Sequence, residues 1–261
     1  MTTITPDEMK SLETLFMSET GTPSILLMEH AAQGVFAAIA RHAPKSARVL
    51  FLCGPGNNGG DGYAAARLWC SGGGQADVWE GTSAVRGDAL TNRTLALLHG
   101  VHVLPSADAG DVAEYAAVVD ALYGTGLNHA IEGDAAILIH RLSDHPQIPV
   151  IAVDIPSGLD GTTGRALGAD VVRAAETVTF HRIKQGLRLR YGNELCGESG
   201  LGRDCYANIS QGRIDEILCL KSTDRREIFE EAAGISKDRH RKEETERRIA
   251  TTQDNLTRIG D

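Results

Sequence analysis

The distribution of apolar residues divides this chain into two unlike parts. Up to about residue 199, short apolar stretches alternate with longer stretches of helical periodicity, and after residue 200 charged residues crowd together, as in RREIFEEAAG and KDRHRKEETERR. Strands that are apolar throughout and separated by helices are typical of a parallel sheet covered on both faces. The first part is therefore predicted to be an α/β domain, and the second a mainly helical or disordered appendage.

The α/β part is predicted to contain six strands and five helices. Strands are predicted at Arg48–Cys53, Ala76–Trp79, Val101–Leu104, Ala117–Asp120, Val150–Asp154 and Thr177–Phe180. Helices are predicted at Pro6–Met17, Pro23–His42, Tyr63–Cys70, Gly87–His99 and Asp134–Asp144. This alternation predicts a Rossmann-like, doubly wound, mostly parallel sheet, in which ligands bind beyond the carboxyl ends of the strands.

Composition narrows the class of protein further. The net charge of -9 argues against nucleic-acid binding by the main domain. The five cysteines have no metal-like spacing, so we expect reduced thiols and a cytoplasmic protein. No apolar run reaches about 18 residues, so we expect no membrane partner.

The end of the first predicted strand carries a glycine-rich loop, Gly54–Gly62, with the sequence GPGNNGGDG. Its glycines satisfy G-x-G-x-x-G, and the backbone N–H groups of a helix that starts there suit an anion such as phosphate. Such a match also describes a simple turn, but the order strand, loop, helix favours ligand binding. The lack of Gly-Lys-Ser/Thr excludes a P-loop. Asn57, Asn58 and Asp61 suit contacts to a polar ligand or a cation.

Two more predicted strands end in chemically useful residues. Asp120 opens the sequence DALYGTGL, and Asp154 and Ser157 lie in VDIPSGLD. Each of these residues could simply cap a turn. However, the carboxyl ends of parallel strands meet at one edge of the sheet, so these two strand ends should lie beside the glycine-rich loop that follows the first strand. Asp154 is then a candidate general acid or base. The oxygens of Asn58, Asp120 and Ser157 suit an alkali or alkaline-earth cation.

A basic cluster follows the last predicted strand, in the sequence TVTFHRIKQGL. Here His181 stands close to Arg182 and Lys184. The sequence leaves two interpretations open: a contact to a phosphate group, or an exposed and solvated cluster.

Four motifs together resemble one known family. GPGNNGGDGYAAARLW, DALYGTGL, VDIPSGLDGTTG and TVTFHRIKQGL occur in this order, with LMEHAA near the start. Over about residues 5–198 the chain resembles the NAD(P)H-hydrate epimerase family. The resemblance implies an isomerase with a Rossmann-like fold that interconverts the R and S forms of hydrated NADH and NADPH at C6. It also implies a bound potassium ion and a separate NAD(P)H-hydrate dehydratase as partner, and it leaves a homodimer open.

The resemblance implies specific site residues. Those expected to bind substrate are Asn57, Asn58, Gly59, Gly60, Asp61, Gly124, Thr125, Gly126, Leu127, Asn128, His129, Ala130 and Asp154. Those expected to bind potassium are Asn58, Asp120 and Ser157. The C6 carbon bears both a hydroxyl and a ring nitrogen, so losing and regaining the hydroxyl needs a proton shuttle and stabilisation of a cationic ring. A carboxylate at Asp154 has the chemistry for both tasks.

The tail resembles a different family. GLGRDCYANISQGRIDEIL and DRREIFEEAAGI are similar to the head and first coiled coil of SMC (structural maintenance of chromosomes) ATPases. Gln211 would match the glutamine loop, but the Walker motifs needed for ATP hydrolysis are missing. We therefore predict an epimerase-like domain over residues 1–198 and a fused SMC-like fragment over 199–261. Because the join replaces the end of the epimerase domain, we expect its last strand to be missing.

Three alternatives from other classes remain open at the sequence level. One is a noncatalytic nucleotide-binding module. Another is a dehydrogenase that holds a ribose through Asp77 or Glu80. The last is an SMC-type chromosome protein, which the tail alone suggests.

Overall fold

The computed structural model describes residues 3–81, 84–104 and 110–201. The strands are β1 (Arg48–Cys53), β2 (Gln75–Glu80), β3 (His102–Val103), β4 (Ala117–Ala121), β5 (Val150–Val153), β6 (Glu176–Thr179) and β7 (Glu198–Leu201). The helices are α1 (Pro6–Thr20), α2 (Ser24–His42), α3 (Asn57–Ser71), α4 (Gly87–Leu98), α5 (Gly133–Ser143), α6 (Gln185–Arg188) and α7 (Arg190–Leu195), with a 3-10 turn at Val112–Glu114.

The seven strands form one parallel sheet in the order β3-β2-β1-β4-β5-β6-β7. The chain runs outward from β1 to β3 and then returns to β4 on the other side of β1. This arrangement confirms the predicted Rossmann-like, doubly wound sheet. The strand order reverses between β1 and β4, and ligands of such sheets bind at this switch point.

Both faces of the sheet are covered, which explains why β1 is apolar throughout. Along this strand Val49, Phe51 and Cys53 belong to the core beneath α2, α3 and α4, whereas Leu50 and Leu52 belong to the core beneath α5. Alternating side chains point to opposite faces of a sheet, so a strand buried on both sides needs no polar position.

The expected absence of a last strand is wrong. β7 pairs in parallel with β6, from Glu176 opposite Glu198 to Thr179 opposite Leu201. The main-chain N–H of Ala174 donates to the Leu195 carbonyl oxygen at 2.9 Å, which fixes the end of α7 near the start of β6. Strand pairing uses backbone groups, so a segment without an apolar pattern can still extend an edge.

The compact unit that contains the sheet comprises Met1–Thr14 and Pro23–Cys205, so it extends past the predicted boundary at residue 199. A second unit comprises Leu15–Thr22 and Tyr206–Asp261. The predicted helical appendage, from residue 202 onward, lies outside the described residues. Within the described ranges, no helix combines the length and apolarity needed to cross a membrane.

Candidate active site

The turn between β1 and α3 lies directly against the end of β4. The Gly54 N–H donates to the Ala121 carbonyl oxygen at 3.0 Å. A Cβ atom on Gly54 would lie 1.8 Å from the Leu122 carbonyl oxygen, and one on Gly59 would lie 1.9 Å from the Gly54 carbonyl oxygen. These glycines are therefore required by the close approach of two backbones at the switch point.

The helix α3 begins at Asn57, six positions before the predicted start at Tyr63, so the whole segment Asn57–Asp61 is helical. Gly60 serves helix packing, because a Cβ there would lie 2.6 Å from the Met28 side chain, and its N–H donates to the Gly56 carbonyl oxygen at 3.1 Å. The buried Nδ2 atom of Asn58 has no hydrogen-bond partner among the described residues. A ligand with an acceptor atom would satisfy this group.

The glycine loop after β4 joins two of the predicted site residues. A Cβ atom on Gly124 would lie 3.2 Å from Asn58 Oδ1 and 3.4 Å from Asp154 Oδ2. The ends of β4 and β5 and the first turn of α3 therefore meet at Gly124. The rest of the predicted loop is more open: Gly126, Asn128 and His129 are exposed, whereas Thr125, Leu127 and Ala130 are half-buried.

Asp120 and Ser157 form the buried centre of this region. The Asp120 carboxylate is fully buried and accepts hydrogen bonds from the Ser157 N–H at 2.8 Å, the Ser157 hydroxyl at 2.6 Å and the Leu122 N–H at 3.3 Å. Burial raises the pKa of Asp120 to about 6, although these hydrogen bonds oppose the shift. In the described part of the chain, no cationic side chain pairs with Asp120.

The residues predicted to bind potassium fit an alkali cation by their chemistry. Asp120 supplies a buried carboxylate without a counter-charge, and Ser157 supplies a hydroxyl oxygen next to it. Asn58 is hydrogen-bonded to neither, but its amide oxygen lies beside Gly124, at the same edge of the sheet. A set of hard oxygen donors that together carry a single negative charge suits a monovalent cation.

Asp154 occupies an unusual position at the end of β5. Its φ is +69°, and its N–H donates to the Val178 carbonyl oxygen at 2.8 Å. Its Oδ1 atom forms an ion pair with the ammonium group of Lys184. The same ammonium donates to Thr179 Oγ1 and to the Phe180 carbonyl oxygen, both at 3.1 Å.

Lys184 was predicted only as a member of the basic cluster, and its ion pair with Asp154 was not predicted. Its side chain is 2% exposed, so the interpretation as an exposed and solvated cluster is wrong for this residue. The N-terminal segment covers it, because Ile4 forms a parallel bridge with Lys184 and accepts a hydrogen bond from the Gln185 N–H at 2.9 Å. The available signal was its place between the apolar residues Ile183 and Leu187, both of which are buried.

Further titratable groups surround the Asp154–Lys184 pair. Burial raises the pKa of Asp61 well above its usual range, and the charges of Asp154 and Glu13 add to this shift. Burial, together with Lys184, lowers the pKa of His181 to about 4, so its imidazole is neutral at pH 7. Glu13 Oε1 lies 3.7 Å from His181 Nδ1.

The two candidates for a dehydrogenase-type ribose contact are engaged within the protein. Glu80 accepts hydrogen bonds from the Tyr63 hydroxyl at 3.0 Å and from Arg93 at 3.2 Å. Asp77 accepts from Arg48 Nε at 2.7 Å. Neither carboxylate is left to bind a ribose hydroxyl, which removes the support for the dehydrogenase alternative.

Comparison with known proteins agrees with the motifs. A family described as YjeF-related protein N-terminus matches residues 24–186. The NAD(P)H-hydrate epimerase of Limosilactobacillus fermentum is 35% identical over 196 residues, which cover 74% of this chain and 92% of that protein. The bifunctional NAD(P)H-hydrate repair enzyme of Moorella thermoacetica is 39% identical over 208 residues, which cover 74% of this chain but 38% of that enzyme.

The fold has a counterpart among solved structures. The crystal structure of yeast ynu0 superposes with a TM-score of 0.64 at 24% sequence identity, covering 71% of this chain and 83% of that one. At this identity the likeness supports the fold alone. The family match and the epimerase relatives, together with the strand-end motifs, establish that this chain belongs to the NAD(P)H-hydrate epimerase family.

Proposed function

We propose that this domain is an isomerase that interconverts the R and S epimers of hydrated NADH and NADPH at C6, as one step in nicotinamide nucleotide repair. The observation that carries the proposal is the meeting of Asn58, Gly124 and Asp154 at the switch point of the sheet. The family relationship supports the same reaction.

The chemistry follows from the groups at this edge. The first turn of α3 offers unpaired backbone N–H groups to a nucleotide phosphate. The buried amide of Asn58 gains an acceptor when substrate binds. The carboxylate of Asp154, 14% exposed, then exchanges protons with the hydroxyl on C6 and stabilises the cationic ring that forms when the hydroxyl leaves.

A potassium ion would be held by Asn58, Asp120 and Ser157. When bound, the ion supplies positive charge that offsets the buried carboxylate of Asp120. Asp120 and Ser157 join the ends of β4 and β5 through their hydrogen bonds, so these two residues also fix the glycine loop relative to Asp154.

The test is a coupled assay on the Asp154→Asn variant. An equilibrated pool of hydrates is supplied, a dehydratase removes the S epimer, and consumption of the R epimer is followed. We expect the wild-type chain to accelerate consumption of the R epimer. We expect the Asp154→Asn variant to have a kcat roughly 100- to 10,000-fold lower than that of the wild type. Asparagine is chosen because it tolerates the positive φ, which alanine does not.

The matched control is Asp134→Asn, which changes an exposed carboxylate on α5 and should leave the rate unchanged. Full activity of Asp154→Asn would remove this residue from the mechanism. An inactive wild-type chain that still binds the nucleotide would instead favour the noncatalytic module.

Because epimerisation is one step of the repair, we propose that an NAD(P)H-hydrate dehydratase acts with this domain as a separate partner; the match to the bifunctional relative covers 38% of that enzyme. We also propose a cytoplasmic location and no part in catalysis for the SMC-like segment, residues 200–261. A chain that ends after Cys205, the limit of the sheet-containing unit, should keep the epimerase activity of the full chain.

A further inference from the structure

The N-terminal arm, residues 3–8, packs against the loop that follows β6. The Ile4 N–H donates to the Ile183 carbonyl oxygen at 3.1 Å, and the Ile4 carbonyl oxygen accepts from the Gln185 N–H at 2.9 Å. Ile4 also forms a parallel bridge with Lys184. The arm therefore holds, through its backbone, both chain neighbours of the buried lysine.

The start of α1 anchors the arm directly after Ile4. The Thr5 N–H donates to Glu8 Oε2 at 2.9 Å, and the Glu8 N–H donates to Thr5 Oγ1 at 3.3 Å, which forms a capping box. The Pro6 side chain lies against the loop after β5, because its Cγ atom would be 3.0 Å from a Cβ atom on Gly161. A chain terminus is usually loose unless such contacts tie it down, so Ile4 has a defined place.

The lysine that Ile4 holds is the centre of a polar cluster. The Lys184 ammonium forms an ion pair with Asp154 and donates to Thr179 Oγ1 and to the Phe180 carbonyl oxygen, both at 3.1 Å. The lysine side chain is 2% exposed. A continuous series of contacts therefore runs from the backbone of Ile4 through Lys184 to the carboxylate of Asp154.

The two oxygens of Asp154 face different partners. Oδ1 is the atom that pairs with Lys184, whereas Oδ2 lies 3.4 Å from the Cβ position of Gly124. Asn58 Oδ1 lies 3.2 Å from the same Cβ position. The ion pair thus engages one oxygen of the carboxylate and directs the other toward the glycine loop, where substrate is expected to bind.

We infer that the N-terminal arm is part of the active site and that Ile4 is a positioning residue for the reaction. Its backbone fixes where the Lys184 ammonium stands, and the ammonium fixes the direction of the Asp154 carboxylate. The inference rests on the proposed function. It extends the site to residues that precede the matched family region, residues 24–186.

Ile4→Pro and Ile4→Val form the test pair. Proline lacks the N–H that bonds to Ile183, whereas valine retains it together with a β-branched side chain. We expect kcat per binding site to fall roughly 10- to 100-fold in Ile4→Pro with little change in KM, because displacing a catalytic group by about 1 Å has an effect of this size. Ile4→Val should restore kcat to near the wild-type value.

The count of binding sites separates this role from a general loss of structure. Sites are counted by the amount of hydrated NADPH bound at saturation, so unfolded chains do not lower the measured kcat. Asp134→Asn serves as the control for a distant substitution. A wild-type kcat in Ile4→Pro, or equal losses in both Ile4 variants, would overturn the positioning role.

Two shortened chains provide a second test if Ile4→Pro does not fold. A chain without residues 2–4 loses both hydrogen bonds of Ile4 to the loop, whereas a chain without residues 2–3 keeps them. We expect the same fall in kcat per binding site in the first chain only. Equal kcat values in the two chains would contradict the inference.

Acetylation of lysines measures the hold of the arm without turnover. In the wild-type chain, acetic anhydride should modify the exposed Lys10 and Lys45 and leave the buried Lys184 unmodified, as followed by mass spectrometry of peptides. Ile4→Pro should lose this protection and Ile4→Val should keep it. Equal rates at Lys184 in the two variants, or a wild-type Lys184 that reacts as fast as Lys45, would contradict the inference.

The two readouts distinguish this inference from the proposed function. An inactive wild-type chain would refute the proposed function, while loss of protection at Lys184 in Ile4→Pro would still demonstrate the hold of the arm on the lysine. An active wild type whose kcat and Lys184 protection are both unchanged in Ile4→Pro would refute the role of the arm alone.

Discussion

Asp154 and His181 are the non-glycine residues with positive φ in the described part of the chain, at +69° and +59°. One ends β5 and the other follows β6, so both lie at the edge that carries the candidate site. Left-handed backbone costs of the order of 1–2 kcal/mol in most residues and is maintained only where the surroundings enforce it. The Asp154–Lys184 ion pair is one such constraint.

His181 should make the stability of the domain dependent on pH. Its pKa is about 4 in the folded state, lowered by burial and Lys184, and near 6.5 when unfolded. Between these values only the unfolded chain binds the proton, so the free energy of unfolding falls as the pH drops from 6.5 to 4. In His181→Asn, which tolerates positive φ, we expect this loss to be smaller by roughly 2–4 kcal/mol.

Urea denaturation of both proteins at pH 7 and pH 4 measures this difference. Other carboxyl groups titrate in the same range, but they are common to the two proteins and cancel in the comparison. Equal losses of stability in wild type and His181→Asn would show that the imidazole is not buried in its neutral form.

At the scale of residues, the sequence identified the groups that follow predicted strands. Asp120, Asp154 and Ser157 could be placed because parallel strands end at one edge, and the structure brings Asp120 and Ser157 into contact. The environment of Lys184 could not be predicted. Its burial depends on Ile4, 180 positions earlier, and on Asp154, and no local pattern encodes these contacts.

At the scale of elements, the junction between β1 and α3 offers a matched pair of glycine variants. A Cβ atom on Gly59 would lie 1.9 Å from the backbone of Gly54, whereas a Cβ atom on Gly56 meets nothing within 4 Å. Gly59→Ala should therefore lower the free energy of unfolding by about 1–3 kcal/mol or more, with loss of epimerase activity. Gly56→Ala, at φ −95°, should change both little.

Chemical denaturation with the coupled assay as second readout checks this pair. If Gly59→Ala were as stable and as active as Gly56→Ala, the close contact between the first turn of α3 and Gly54 would not be essential to the fold or the site.

The boundaries of elements were predictable where burial alone determines them. β1 was predicted to the residue, and the other interior strands to within one residue at each end. β1, which is buried on both faces, is apolar from Val49 to Cys53, whereas β2 and β6 also carry buried polar residues such as Asp77 and Glu176. The start of α3 was missed because the four glycines of GPGNNGG disfavour helix, and packing against α4 and Met28 overrides that preference. β7 was missed because its pairing comes from the backbone.

At the scale of the whole molecule, potassium should act as a stabilising ligand. A cation that binds only the folded chain raises its stability by mass action, by about 2.7 kcal/mol at a concentration one hundred times Kd. We expect a higher Tm in potassium chloride than in choline chloride at equal ionic strength. Asp120→Asn should lose this difference, because it removes the buried charge that the ion offsets.

Asp134→Asn should retain the full difference in Tm between the two salts. An equal Tm of the wild-type chain in both salts, over a wide range of concentration, would count against a potassium site at Asp120 and Ser157. Epimerase activity could persist in that case, so the reaction and the ion are tested separately.

The overall class of the molecule was predictable because several motifs agree in order and position. The order β3-β2-β1-β4 places the loops after β1 and β4 side by side, as the alternation of strands and helices implied. The limit of the domain was less predictable, because a change in composition near residue 199 does not coincide with the end of the sheet at Leu201.

The ion pair between Glu80 and Arg93 bears on the choice between the phosphorylated and the unphosphorylated coenzyme. Dinucleotide enzymes that prefer the unphosphorylated form use an acidic side chain at this strand end to hold the adenosine ribose and to repel a 2′-phosphate. Here that carboxylate is neutralised by Arg93 and capped by the Tyr63 hydroxyl. In this chain the carboxylate at that strand end instead ties β2 to α3 through Tyr63 and to α4 through Arg93, so it is not free to select between the two forms of the coenzyme.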